Sequence, residues 1–212
     1  MNIQEMRKEY SAAMLDVSDV LADPISQFQH WFQEAVDAKT LEPNAMVLST
    51  IKADGCPSAR VVLLKGIELA GFVFFTNYNS GKGRQLDRNP LASLVFNWLE
   101  LQRQVRIEGR VQKISATDST AYFQRRPKSS QIGAWASPQS QIIADRSVIE
   151  QNVKALEKKY VSDEVLPRPD HWGGFLVVPT LVEFWQGRRS RLHDRIRYLK
   201  EDDSWKIERL AP

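Results

Sequence analysis

The chain has 212 residues, 42% of them hydrophobic and 26% charged, which is enough apolar side chain for one large domain. Its net charge of +3 comes from cations scattered in short groups, which argues against a nucleic-acid partner and suits small phosphate esters better. The single cysteine, Cys56, excludes an intrachain disulfide; His30, His171 and His193 show no metal-ligand spacing; and no apolar run approaches the ~18 residues of a membrane span, so a cytoplasmic, metal-free protein is expected.

Residues 1–20 are polar and mixed, and the expectation there is one short helix with mobile flanks. Asp23-Pro24 reads as an N-cap followed by proline at the first helical position, with Ile25, Phe28 and Phe32 at helical spacing through Lys39. From residue 45 the period changes to two. Met46–Ile51 and Arg60–Lys65 are predicted strands around an Asp54-Gly55 turn, and the aliphatic run Val61–Leu64 predicts burial on both faces, inside a barrel or against another subunit. Phe72–Thr76 is a third strand, and Asn77–Gly83 a polar turn into a short helix that Asn89-Pro90 stops. Ala92–Trp98 and Gln104–Ile114 are further strands.

Thr117-Asp118 opens a helix that Pro127 ends, and a loop is expected over Ser129–Pro138 before a long helix near Ser140–Tyr160. Three strands close the chain, Phe175–Gln186, Arg191–Leu199 and Ser204–Leu210. About eight strands in hairpin order with inserted helices predict an α+β protein built on a closed or split antiparallel barrel, as a single domain over 21–212 behind an N-terminal segment, 1–20.

Several clusters point toward anion chemistry. On the predicted strand from Arg191, side chains alternate faces, so Arg191, His193, Arg195 and Arg197 share one side, where no acidic residue of that strand relieves them. Leu192, Ile196 and Tyr198 take the other side. An anionic ligand accounts for the cationic row, and so does a solvated basic edge strand. Arg60 and Lys65 bracket an apolar strand, where solvated strand ends are the simple alternative. The turn Thr76-Asn-Tyr-Asn-Ser-Gly-Lys82-Gly offers backbone N–H groups, a hydroxyl and an ammonium, in an ordinary strand-to-helix turn that lacks the P-loop spacing. Tyr122 and Arg126 share a helix face above Ser129 and Ser130, an arrangement that fits either a phosphate or a plain helix-dipole arginine. Gln139-Ser140, at the expected start of the long helix, is one more anion candidate. With the nearby aromatics Trp98, Trp135 and Trp185, these clusters predict binding of flat, phosphorylated small molecules.

The segment Glu183-Phe-Trp-Gln186, four residues, then Arg191-Leu-His-Asp-Arg195 resembles the C-terminal signature of the pyridoxamine/pyridoxine 5′-phosphate oxidase family. Arg60–Lys65, Ser130–Trp135 and Trp205–Pro212 are similar to it as well, so the likeness runs over essentially the whole chain. The resemblance implies an FMN-binding split β-barrel with peripheral helices, working as a homodimer with flavin at the subunit interface. Residues 171–212 would contribute to dimer and active site. It implies Arg60, Lys82, Gln139 and Ser140 at the FMN phosphate, with Val61, Val62, Leu63, Leu64, Lys65, Phe75, Thr76, Gln104, Trp185 and Arg195 around the rest of the flavin. Lys65, Tyr122, Arg126 and Ser130 would hold the substrate phosphate. Arg191 and His193 would be catalytic at the pyridine ring beside Leu192, and Arg7, Lys8, Glu9 and Tyr10 would form a lid.

The implied reaction is hydride transfer from C4′ of pyridoxamine or pyridoxine 5′-phosphate to FMN, with O2 reduced to hydrogen peroxide. A phenazine-type flavin oxidase on the same fold and a non-enzymatic binder of FMN or pyridoxal phosphate are the competing readings. One departure stands out: the family usually carries a second cation just before Lys82, where this chain has Gly81, which would weaken FMN binding unless Arg84 substitutes.

Overall fold

Strands β2 (Pro57–Leu63) and β3 (Gly66–Glu68) lie at opposite edges of one sheet, yet only Leu64 and Lys65 separate them in sequence. The sheet order β2-β1-β5-β6-β7-β4-β3 must therefore curl until its edges meet, and Lys65 N–H donates to Val73 O (2.8 Å) at the seam. The structure, a computed structural model, describes residues 2–5, 9–10 and 13–212. Among these, the strands are β1 (Ala45–Ile51), β2, β3, β4 (Gly71–Asn77), β5 (Leu91–Trp98), β6 (Arg103–Lys113), β7 (Trp172–Gln186), β8 (Asp194–Glu201) and β9 (Ser204–Leu210), all antiparallel. The fold is α+β, a curled antiparallel split barrel with helices at its periphery.

The split arises in β7. Along one edge β7 pairs with β6 from Phe175 to Gln186, with a bulge at Glu108/Gly109. Along the other edge, residues 172–177 pair with β4 and residues 181–186 with β8, so the long strand serves two sheets. Pro179, which has no N–H to give a ladder, falls between the two halves.

Helix α1 (Pro24–Asp37) starts as expected: Asp23 caps it by accepting from Ser26 N–H (2.7 Å), a contact whose loss costs about 1 kcal/mol. Its apolar face packs Phe28 edge-on against Phe72 and Phe96 (both 4.8 Å) and Trp31 against Phe184 (5.1 Å), which fills the barrel. Helix α2 (Gly81–Arg88) begins at Ser80, whose hydroxyl accepts from Gly83 N–H. Helices α3 (Ala116–Arg125), α4 (Lys128–Ala136) and α5 (Ser147–Lys159) enclose a smaller core of Phe123, Ile132, Leu166 and Trp172. None of the described helices is long and apolar enough to cross a membrane.

Several expectations are corrected. The segment expected as a loop, Ser129–Pro138, is mostly helix α4, with Gln131, Ile132 and Ala136 buried. The long helix starts at Ser147 and not near residue 140, where Ser140 is held in a left-handed turn (φ 67°). Residues 1–20 contain 3-10 turns at Ile3–Glu5 and Val17–Asp19 among their described residues, in place of one helix. Of the two settings expected for the aliphatic run 61–64, burial inside this chain's own barrel is not the one found: β2 is an edge strand, and Val61 is 67% exposed while Leu64 is buried. Arg191 and His193 precede β8; residues 189–191 form a 3-10 turn in which Ser190 and Arg191 are both left-handed (φ 55° and 62°).

Candidate active site

A cavity of about 450 Å³ opens between β2, the end of β4, and helices α2, α3 and α4. Four cations line it, Arg60, Lys65, Lys82 and Arg126, and among the described residues no carboxylate does. Such a lining is costly unless an anion enters.

Each cation is placed by its element. Arg60 lies on the inward side of β2, opposite Leu48, and its guanidinium is fixed by Leu48 O (3.0 Å), Thr50 Oγ1 (2.6 Å), Ser58 Oγ (2.7 Å) and Gln85 Oε1 (3.3 Å). Burial lowers its pKa. Lys82, in the first turn of α2, reaches Thr76 Oγ1 (3.2 Å) and Gln139 Oε1 (3.5 Å). Burial, and then the nearby charge of Arg60, lower the Lys82 pKa as well. Two cations thus face each other at the N-terminal end of α2, where the helix dipole adds further positive potential. Ser140 lies at the same place, its Oγ 3.7 Å from where a Cβ on Gly81 would stand. The turn Ser137–Gln141, and not a helix N-terminus, brings Gln139 and Ser140 there. Arg84 donates to Asn79 O and does not reach the cavity, so it does not replace the cation missing at Gly81.

Tyr122, Arg126 and Ser130 converge on the cavity from α3 and α4. Tyr122 stacks on Phe75 (3.9 Å, 16° between planes), and burial raises its pKa. Arg126 is half-buried with its pKa lowered by that burial, and its Nη1 is buried without a hydrogen-bond partner. Arg126 thus brings to the cavity wall a guanidinium whose hydrogen-bonding capacity is not fully used, and a phosphate oxygen could engage that group by charge-assisted hydrogen bonds. Val61, Val62, Leu63, Lys65, Phe75 and Thr76 share the lining, while Leu64 points into the core.

The remaining predicted residues lie elsewhere in the chain. Gln104 and Trp185 are cross-strand partners on β6 and β7 and line a cavity of about 340 Å³ with Tyr10. Trp185 packs at 4.5 Å from the His193 ring and 6.0 Å from that of Tyr10. His193 Nδ1 accepts from Arg188 N–H (3.1 Å), which leaves the proton on Nε2. Burial and the charge of Arg191 lower the His193 pKa, so the ring is neutral near pH 7. Arg191 and Leu192 are exposed. Glu9 is exposed as well, and Arg7 and Lys8 lie outside the described residues.

Arg195 is not unrelieved. It forms a bidentate pair with Glu183 of β7 (2.8 and 3.1 Å), which Arg106 shares (3.1 Å), and Arg197 pairs with Glu208 of β9. The hydrogen bond to Glu183 raises the Arg195 pKa. Carboxylates on the flanking strands were invisible to a pattern read along β8 alone. Tyr10, the described residue that joins this cluster from the N-terminus, rests against Gly187, where a Cβ would come within 2.8–2.9 Å of its ring and Cβ.

The two groups share no lining residue. Trp172 of the first and Trp185 of the second lie 13 positions apart on β7, up to ~43 Å along the strand at ~3.3 Å per residue.

Known proteins match this chain over most of its length. Residues 32–160 match the family model described as pyridoxamine 5′-phosphate oxidase, and residues 172–212 match the pyridoxine 5′-phosphate oxidase C-terminal dimerisation region. The chain belongs to the pyridoxamine 5′-phosphate oxidase family. It is similar to the pyridoxine/pyridoxamine 5′-phosphate oxidase of Acaryochloris marina, 54% identical over 211 residues that cover 100% of this chain and 96% of the relative. The enzyme of the same description from Salinibacter ruber is 53% identical, with 99% of both chains covered. Among solved structures, PhzG from Burkholderia lata 383, in complex with tetrahydrophenazine-1-carboxylic acid, superposes with a TM-score of 0.89 at 29% identity, covering 97% of this chain and 100% of that one. An FMN-binding protein from Nostoc punctiforme shares the fold (TM-score 0.71, 17% identity, 91% and 98% covered). The chain is accordingly an oxidoreductase of the oxidase family, with a dimerisation region formed by β7–β9.

Proposed function

We propose that the protein oxidises pyridoxamine 5′-phosphate and pyridoxine 5′-phosphate to pyridoxal 5′-phosphate, using FMN and passing the electrons to O2. The observation that carries this reading is the single cavity that unites Arg60 and Lys82 with Lys65, Tyr122, Arg126 and Ser130, with no carboxylate among its described lining residues and with a buried, unpartnered Arg126 Nη1. That donor set fits two phosphate monoesters side by side. Arg60, Lys82, Gln139 and Ser140 would hold the FMN phosphate, and Lys65, Tyr122, Arg126 and Ser130 the substrate phosphate.

FMN supplies, when bound, the two-electron acceptor that no side chain here can provide. The protein's part is placement. Each phosphate is a remote handle, so binding energy spent away from the reacting carbon fixes its alignment. Arg191 and the Nε2–H of His193 would donate to the pyridine ring's phenolic oxygen and stabilise negative charge there. Trp185, Gln104 and Arg195 would flank the flavin, with Tyr10 closing the site.

Because these residues and the cation cavity lie toward opposite ends of β7, one ligand can meet both groups only if two chains pair. The exposed Val61 on edge strand β2 and the match of β7–β9 to a dimerisation region favour that pairing in a homodimer. The test is peroxide release from the flavin-loaded protein on addition of pyridoxamine 5′-phosphate or pyridoxine 5′-phosphate. Turnover of tetrahydrophenazine-1-carboxylic acid in their place would favour the PhzG-like reading, and flavin binding without peroxide from any of the three would make the protein a binder.

A further inference from the structure

Arg126 is held in an unusual way for a cation with no carboxylate beside it. Pro127 forces the residue before it out of the helical region, so α3 ends at Arg125 and Arg126 adopts an extended backbone (φ −72°, ψ 149°). Its guanidinium carbon then lies 4.7 Å from the centre of the Trp172 ring and 5.7 Å from that of Phe123. Trp172 is 6% exposed and cannot turn away, because Phe123 meets it edge-on (5.2 Å) and Phe75 stacks on it (5.4 Å, 13°). Behind the arginine, the Gln131 side chain is 1% exposed. Its Nε2 donates to Arg126 O (2.8 Å) and Gln124 O (3.3 Å), and its Oε1 accepts from Leu166 N–H (2.8 Å). One amide thus ties the end of α3 to the loop before β7.

We infer that Trp172 and Gln131 are positioning residues for Arg126: the indole supports the face of the guanidinium, the amide fixes its backbone carbonyl, and together they hold the guanidinium at the cavity wall before substrate arrives. This rests on the reading of Arg126 as a substrate-phosphate ligand. An aromatic face attracts a partly desolvated cation, and that attraction offsets the lack of a carboxylate partner among the described lining residues. Without it the long side chain has the freedom to swing toward solvent, and each binding event must order it again.

The experiment compares kcat/KM for pyridoxamine 5′-phosphate with kcat/KM for pyridoxamine, using flavin-loaded protein and peroxide detection. Trp172→Leu and Gln131→Leu are expected to raise KM for the phosphorylated substrate more than they lower kcat, Trp172→Leu reducing the ratio by roughly 2- to 30-fold, the span of a cation–π contact, and Gln131→Leu reducing it in the same direction. Trp172→Phe should recover most of the ratio, because it restores an aromatic face. Trp172→Met fills the space without a ring and serves if the leucine variant does not fold. In an Arg126→Ala background, Trp172→Leu should produce no additional loss of phosphate preference. A ratio unchanged in Trp172→Met and Gln131→Leu, while Arg126→Ala collapses it, overturns the inference alone. A ratio unchanged in Arg126→Ala itself overturns the reading of the cavity, and this inference with it.

Discussion

Replacing Gly187 with alanine perturbs the second group of site residues without touching a polar atom. The new methyl would stand 2.8 Å from Tyr10 Cδ2 and 2.9 Å from its Cβ and Cγ, whereas carbon atoms pack at about 3.5–4.0 Å. The ring has to retreat by roughly 1 Å, which loosens its edge contact with Trp185 (6.0 Å) and its approach to His193 (6.0 Å). An aromatic pair of this geometry contributes about 0.5–1.5 kcal/mol, so the closed arrangement should become roughly 2- to 13-fold less populated. Gly187 does not adopt a left-handed φ, so alanine adds no backbone strain. The change leaves Arg60, Lys82, Gln139 and Ser140, the proposed holders of the FMN phosphate, untouched, so flavin should remain bound. The assay is peroxide-coupled kcat/KM for pyridoxamine 5′-phosphate in Gly187→Ala, Tyr10→Ala and the double variant. Each single change should lower it by a similar factor, and the pair by no more than the larger one. Full activity in Gly187→Ala, or losses that multiply in the double variant, would refute the coupling of Gly187 to Tyr10.

Three further outcomes follow from the geometry. Gly81→Lys should tighten FMN binding about tenfold in a flavin-fluorescence titration, since a Cβ there would meet Ser140 Oγ at an ordinary contact distance (3.7 Å) and a charge-assisted hydrogen bond contributes ~1.5–3 kcal/mol before solvent screening; an unchanged Kd would show that the missing cation is not limiting. The acid limb of the kcat/KM profile should fall below the usual histidine range near 6.5, because burial and Arg191 favour neutral His193. Removing that charge in Arg191→Gln should move the inflection to higher pH, and an inflection that stays put or moves down would count against the assignment. Glu183→Gln should lower Tm by several degrees. Breaking a buried pair costs ~3–5 kcal/mol, reduced here to about 1–3 because Arg106 and Arg195 are 36% and 26% exposed, and a Tm shift under 1 °C would show the pair to be energetically idle.

Much of the barrel was legible because its signals are local. Asp54-Gly55 turns as its residues require, with Gly55 at φ 82°, and Asp23-Pro24 and Ser80 start helices by capping chemistry that three or four residues contain. Helix α4 is masked in the sequence because Pro127, Gly133 and Pro138 look like loop punctuation. The better signal was the pattern of buried side chains, Gln131, Ile132 and Ala136, one and four residues apart as on a single helix face. The cationic row at 191–197 failed for a different reason. Strand periodicity extends only as far as the strand, and Gly187–His193 is an irregular connection whose Ser190 and Arg191 take left-handed φ without a glycine to announce it.

The charge balance of the site was the least readable feature, and the reason is topological. Glu183 is 12 residues from Arg195 and 77 from Arg106, yet β6, β7 and β8 place all three side chains together. The same neighbour-strand logic leaves Arg60, Lys82 and Arg126, drawn from β2, α2 and the end of α3, without any such carboxylate in the described cavity lining. A cation's meaning in this fold is therefore set by what the adjacent element carries. On the β6–β8 face Arg106 and Arg195 share the carboxylate of Glu183, so their charge is partly met within the chain. In the cavity Arg60, Lys82 and Arg126 have pKa values lowered by burial, Lys82 also by the charge of Arg60, and the lining carries no carboxylate among its described residues, which is the charge balance on which the proposed anionic ligand rests.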